Sequence, residues 1–140
     1  DDGIEALLFT SEGDMRTAIN NLQATHSGFG VINGRNVFKV CDIPHPGLLR
    51  SIIVKCTKGE IFDAVKEVRR KLWEKGYASS DILSTLFRVV RYMPDEDLPE
   101  GLKLSFLREI GMCQKRSIEG CQSLCQLTGL LARFCAESKK

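Results

Sequence analysis

The 140-residue sequence contains no Gly-x-x-x-x-Gly-Lys-Ser/Thr loop and no hydrophobic strand ending in paired acids, so this chain alone is not expected to hydrolyse a nucleotide. It has no signal-peptide core and no unbroken apolar run of about 18 residues, which argues against secretion and a membrane span and predicts an intracellular chain. Histidine is scarce: His26 and His45 sit beside loop residues, each without a nearby nucleophile and orienting acid, so no hydrolytic triad is read from them. The six cysteines, at 41, 56, 113, 121, 125 and 135, show no Cys-x-x-Cys pair, and no zinc site is expected. Charge of one sign is also missing. The net charge of +2 is too slight to mark a nucleic-acid or membrane surface, although residues 1–42 sum to −3 and residues 43–140 to +5. Finally, no stretch sustains the period-2 alternation of a half-buried strand.

What is present is helical periodicity nearly everywhere, and an apolar fraction of 43% that suits a folded globular chain. The fold class predicted is all-α. Ile4, Leu7 and Leu8 belong to a helix that ends near Gly13. Asp14 is placed to cap a second helix whose buried face is predicted to carry Met15, Ala18, Ile19 and Leu22, ending at Ser27-Gly28. After a loop, Asn36 is read as the cap of a short helix with Val37, Phe38, Val40 and Cys41. Two prolines in Asp42-Ile43-Pro44-His45-Pro46 force an extended path there, and Pro46 suits the first turn of a helix. A domain junction is therefore placed between 1–42 and 43–140.

Five helices are predicted beyond it, with short connections that favour antiparallel packing of neighbours. The first buries Leu49, Ile52, Ile53 and Cys56. The second runs from about Glu60 to Lys75 and is closed by Gly76. The third, capped by Ser79 or Ser80, presents Leu83, Leu86, Val90 and Met93 before Pro94. The fourth runs from about Pro99 to Ser117 with Leu102, Phe106, Ile110 and Cys113 inward, and the fifth follows Gly120 with Leu124, Leu127, Leu131 and Phe134. Because Cys121, Cys125 and Cys135 share the last stripe, the cysteines are read as reduced core residues. The acids at 95, 96, 97 and 100 surround a proline-bounded turn and are read as a solvated loop. Leu104 and Leu107 fall off the Leu102 stripe and Leu130 off the Leu124 stripe; either these helices are fully surrounded or they offer apolar surface to another subunit.

One residue has the placement of an anion contact. Arg16 lies in the first turn of a helix, where free backbone N–H groups and the helix dipole favour negative charge, and its guanidinium adds a bidentate fork. Local physics alone equally allows a solvated arginine, or one paired with Glu12.

Gly13-Asp14-Met15-Arg16-x-Ala18-Ile19-Asn20-Asn21-Leu22-Gln23 resembles the sensor-2 helix of the small subunits of replication factor C, which are AAA+ clamp-loader ATPases. The likeness continues through Ser27-Gly28-Phe29-Gly30, Asn36-Val37-Phe38-Lys39-Val40-Cys41-Asp42, Pro44-His45-Pro46, Leu72-Trp73-x-Lys75-Gly76-Tyr77, Glu109-Ile110-Gly111 and Leu130-Leu131-Ala132-Arg133, covering essentially the whole chain. The chain also opens on Asp1-Asp2-Gly3 without an initiator methionine and is expected to be a segment of a longer protein, which the resemblance places at the C-terminal end.

The resemblance implies that residues 1–42 end a helical lid domain and that residues 43–140 form a collar that joins subunits into a pentamer. It assigns Arg16 to the terminal phosphate of ATP bound by the same subunit and, more weakly, Met15 to the nucleotide's wall. ATP is thus expected for the full-length parent and no cofactor for this segment. Leu104, Leu107, Leu130 and Phe134 are the interface residues expected. The implied partners are the large and small subunits of the same complex and, through it, a sliding clamp and primer-template DNA, in the nucleus and without a membrane. A rival reading is a free-standing helical adaptor. A phosphate loop and acidic motif in the upstream sequence would separate the two.

Overall fold

The computed structural model describes residues 2–139. Asp1 and Lys140, which begin and end the two predicted domains, lie outside the described residues. The described residues form α-helices joined by turns, plus one 3₁₀ turn, and contain no strand. The chain divides into two compact units between Ile43 and Pro44.

The first unit contains α1 (Asp2–Ser11), α2 (Met15–Phe29) and α3 (Gly34–Cys41). Its core is small: Ala6, Leu7 and Val37 are buried, with Phe38 and Cys41 packed against them. Phe9 meets the Phe38 ring edge-on at 6.0 Å. Two glycines let the start of α1 approach the segment entering α3. A Cβ on Gly3 would lie 2.6 Å from the Ile32 carbonyl oxygen, and one on Gly34 would lie 2.7 Å from the Asp2 carboxylate, which accepts the Gly34 N–H at 2.8 Å. The cap of α3 is Asn33 rather than Asn36. Asn33 is extended, and its side chain accepts the Asn36 N–H at 2.8 Å, while Asn36 donates its own amide to the Val31 carbonyl at 2.9 Å.

The predicted buried face of α2 is corrected by the structure. Met15, Ile19 and Leu22 are 72%, 55% and 39% exposed, and Ala18 is half-buried. The inward side is the polar one. Thr25 is fully buried and donates to the Asn21 carbonyl at 2.7 Å, and Asn21 reaches the Thr10 hydroxyl of α1 at 3.4 Å. Periodicity located an apolar face correctly, but within this unit nothing covers it. The helix also runs past Ser27-Gly28 to Phe29, where Gly30 at φ 70 ends it.

The second unit contains α4 (Pro46–Thr57), α5 (Ile61–Lys71), the 3₁₀ turn Trp73–Lys75, α6 (Ser79–Tyr92), α7 (Glu100–Ile118) and α8 (Leu124–Glu137). Pro46 opens α4, and the His45 Nδ1 accepts the Gly47 N–H at 3.1 Å. Leu49, Ile52, Ile53 and Cys56 of α4 are buried, and the helix packs against α5, α6 and α8. It is therefore the axis of the bundle. The predicted pairing of sequence neighbours holds for α4 with α5, α6 with α7 and α7 with α8, but α5 packs chiefly on α4 and α8. The 3₁₀ turn and Gly76 at φ 86 redirect the chain before α6 starts. Ala78, not Ser79 or Ser80, is the entry residue of α6, and it makes no side-chain cap bond.

The acidic turn before α7 is anchored rather than merely solvated. Met93 and Leu98 are buried on either side of it, Asp97 binds Arg50 of α4, and Asp95 binds Lys103 of α7. Each acid faces a cation from a helix the turn must hold. The cysteines also need correction. Cys56, Cys113 and Cys135 are buried thiols, but Cys121 and Cys125 are exposed: Cys121 precedes α8, and in the first turn of that helix Leu124 and Leu127, not Cys125, meet the core.

Candidate functional site

The chemistry of the α2 N-terminus is set by Asp14. Its carboxylate accepts the Arg16 N–H at 3.0 Å and the Thr17 hydroxyl at 2.8 Å. The Thr17 hydrogen bond, followed by that of the Arg16 amide, holds the Asp14 carboxyl below its usual range. The helix N-terminus thus already has an anion in the chain's own cap, which narrows the expected anion site: backbone donation at Arg16 is spent on Asp14. What remains is the guanidinium. The Arg16 side chain is exposed and, among the described residues, has no hydrogen-bond or ion-pair partner. Met15 stands beside it, one turn before Ile19 on the uncovered apolar face. This arrangement fits one phosphate contact through Arg16 beside an apolar wall. It does not by itself enclose a nucleotide.

The predicted interface residues separate into two pairs. Leu104 is 65% exposed and Leu107 half-buried, so both remain accessible on α7. Leu130 and Phe134 are 3% and 0% exposed, spent inside the second unit's own core, with Phe134 stacked on Phe106. Those two side chains are therefore withdrawn from any surface. A helix stripe off the main apolar one need not face outward when two elements flank it, and α8 packs against α4, α5 and α7.

Two exposed apolar residues of α7 were missed. Met112 is 42% and Ile118 85% exposed on α7. Ile118 continues the stripe of Leu104 at a spacing of two heptads, with Gly111 between them, and that spacing was the signal available in the sequence. Among the described residues no cluster of three or more His, Cys, Asp or Glu side chains could hold a metal ion, and no helix is long and apolar enough to cross a membrane.

A two-unit helical chain with a capped arginine helix followed by a five-helix bundle is the class of protein defined so far. Comparison with known proteins narrows it. Residues 44–133 match the replication factor C C-terminal domain. The chain is 51% identical over its whole length to a probable replication factor C subunit 2 of Dictyostelium discoideum, and 43% identical over its whole length to replication factor C subunit 4 of Schizosaccharomyces pombe; in each case it covers 40% of that protein. It is also 34% identical over its whole length to the replication factor C small subunit of Pyrococcus furiosus, covering 16% of that protein. The chain belongs to the replication factor C C-terminal domain family. It spans well under half the length of the curated relatives it matches.

Proposed function

We propose that this chain is the lid end and collar of a replication factor C small subunit, which joins a hetero-pentameric clamp loader and helps couple ATP occupancy to loading of a sliding clamp on primed DNA in the nucleus. The observation that carries the reading is the outward-facing apolar side of α2 beside a partnerless Arg16. A helix that buries its threonine and asparagine side while exposing methionine, isoleucine and leucine is built to be covered by another body. In the full-length protein that body is the upstream nucleotide-binding domain, and the covering brings Arg16 to a phosphate of ATP. The bound nucleotide supplies the terminal phosphate charge; Arg16 supplies the fork that binds it, and Asp14 fixes the helix turn that aims the fork. A contact made in one lid position and not in another biases the equilibrium between them by its binding energy.

The second unit is assigned to assembly. Its core is complete without a partner, yet α7 keeps Leu104, Met112 and Ile118 exposed. The segment itself carries no hydrolytic role in this reading, since Arg16 senses rather than cleaves.

The test is Arg16→Ala in the full-length subunit within the reconstituted complex. ATP-dependent clamp opening should fall by at least about tenfold, as for loss of a charged contact, while subunit assembly stays at the wild-type level. Loss of assembly with an unchanged nucleotide response would overturn the division of labour.

A further inference from the structure

A second unpartnered arginine lies in the other unit. Between α7 and α8 runs a cleft of about 40 Å³, lined by Glu109, Cys113 and Arg116 on one side and Gln126, Gly129 and Arg133 on the other. Arg133 donates to the Glu109 carboxylate at 2.8 Å, which neutralises that pair. Arg116 is half-buried, and among the described residues its guanidinium has no hydrogen-bond or ion-pair partner. The cleft therefore holds one positive charge in excess. Burial raises the Cys113 thiol pKa, and Arg116 followed by Arg133 pulls it back, so both guanidiniums act on the same point in the cleft. The dipole of α7 favours a cation in its last turn, but that interaction is satisfied equally by an arginine pointing into solvent.

Gly129 is an independent observation. It sits inside α8, where glycine weakens a helix relative to alanine. Within the chain nothing requires it, because a Cβ there would meet no atom within 4 Å. Its effect is to leave the cleft wall open. A partly desolvated cation without an acceptor and a helix-weakening glycine without a neighbour occur together, and an entering acidic group accounts for both.

We propose that this cleft receives an Asp or Glu side chain from a neighbouring subunit, whose carboxylate accepts from Arg116 and the remaining donors of Arg133 while its backbone passes over Gly129. A single negative charge balances the excess, and guanidinium forks match the planar carboxylate. The cleft has room for the end of a side chain. This inference rests on the assembly role proposed for the second unit and names one contact within it.

The experiment uses the full-length subunit, co-expressed with its partner subunits, carrying Arg116→Gln, Gly129→Leu or the exposed control Arg108→Gln. Subunit affinity is measured against salt concentration. Arg116→Gln and Gly129→Leu should each weaken association by about tenfold or more, and Arg116→Gln should flatten its salt dependence. Arg108→Gln should match wild type. Gly129→Ala guards against misfolding: it should raise the melting temperature of the subunit while weakening assembly. Wild-type affinity and salt slope in both Arg116→Gln and Gly129→Ala would overturn the contact alone, whereas failure of the wild-type chain to assemble would sink the assembly reading and the contact with it. Weakened DNA binding with intact assembly would also overturn the proposal, in favour of a phosphate ligand.

Discussion

Phe106 and Phe134 lie stacked across the α7–α8 seam, their ring centroids 4.0 Å apart and their planes 9° from parallel, and both are fully buried. The pair joins α7 to α8. Truncating Phe134 to alanine removes the stacking partner of Phe106 and leaves a cavity in the second unit's core. Phe134→Ala should cost about 3–5 kcal/mol of stability, read from urea unfolding. A loss below about 1 kcal/mol would mean that the seam collapses around the gap.

Glu67 draws Lys71 from its own helix at 2.6 Å and Lys55 from α4 at 3.0 Å. The Lys71 hydrogen bond comes first and the Lys55 bond second in holding its carboxyl below the usual 4.5, while burial opposes them. Because the folded-state value is lowered, the contribution is present above the unfolded value and lost as pH falls through the folded one. Glu67→Gln should therefore lose about 1 kcal/mol at neutral pH. The gap from wild type should close on acidification from about pH 5 to 3. A constant gap over that range in paired denaturation series would remove the carboxylate as its cause.

Asp14→Ala should fray the start of α2. The amides of Arg16 and Thr17 should exchange with solvent faster by hydrogen exchange, while those near Thr25 should not change. In the wild-type chain the protection of these amides should decline as pH falls below 3.8 toward the lowered folded-state value, since protonation removes the charge that accepts their hydrogen bonds. Protection that persists through this range would show that the turn holds without its cap.

The thiols should divide by position. Under native, reducing conditions Cys121 and Cys125 should react with a maleimide at once, and Cys41 more slowly, because burial raises its thiol pKa. Cys56, Cys113 and Cys135 should react only on unfolding. For Cys56 burial comes first and the contact with Cys135 second in suppressing the thiolate. Prompt labelling of Cys56, located by peptide mass mapping, would show that α4 opens from the core.

The helices were legible in the sequence because their apolar spacing and turn residues agree: Pro46 opens α4, although the helix read as running to Lys75 ends at Lys71, and Gly76 closes the 3₁₀ turn that follows it. What periodicity does not reveal is the identity of the covering body. The Met15, Ile19 and Leu22 stripe was assigned to a core, yet it faces outward, whereas Leu130 was assigned to an interface, yet it is core, as is Phe134, which was read both as part of the buried stripe and as an interface residue. In both cases the pattern was real and the partner was misidentified. Boundaries failed for a more local reason. Asn33 and Asn36 are both competent caps, and only the extended backbone at Asn33 decides between them. Arg16 was legible as a candidate, but Asp14's capture of its amide depends on atomic placement that spacing does not encode.

Gly3 and Gly34 lie far apart in the chain and carry no side chain. Each nonetheless removes a collision at the same seam, one with a carbonyl oxygen and the other with a carboxylate. In a saturation library scored for folding, Gly3 should be depleted of every substitution, because its neighbour is backbone, whereas Gly34 should tolerate small residues wherever the Asp2 side chain can swing aside. Shortening Asp2 should therefore rescue a change at Gly34 and leave one at Gly3 unrescued. A residue that would attract no notice in a functional screen thus limits the unit that holds Arg16.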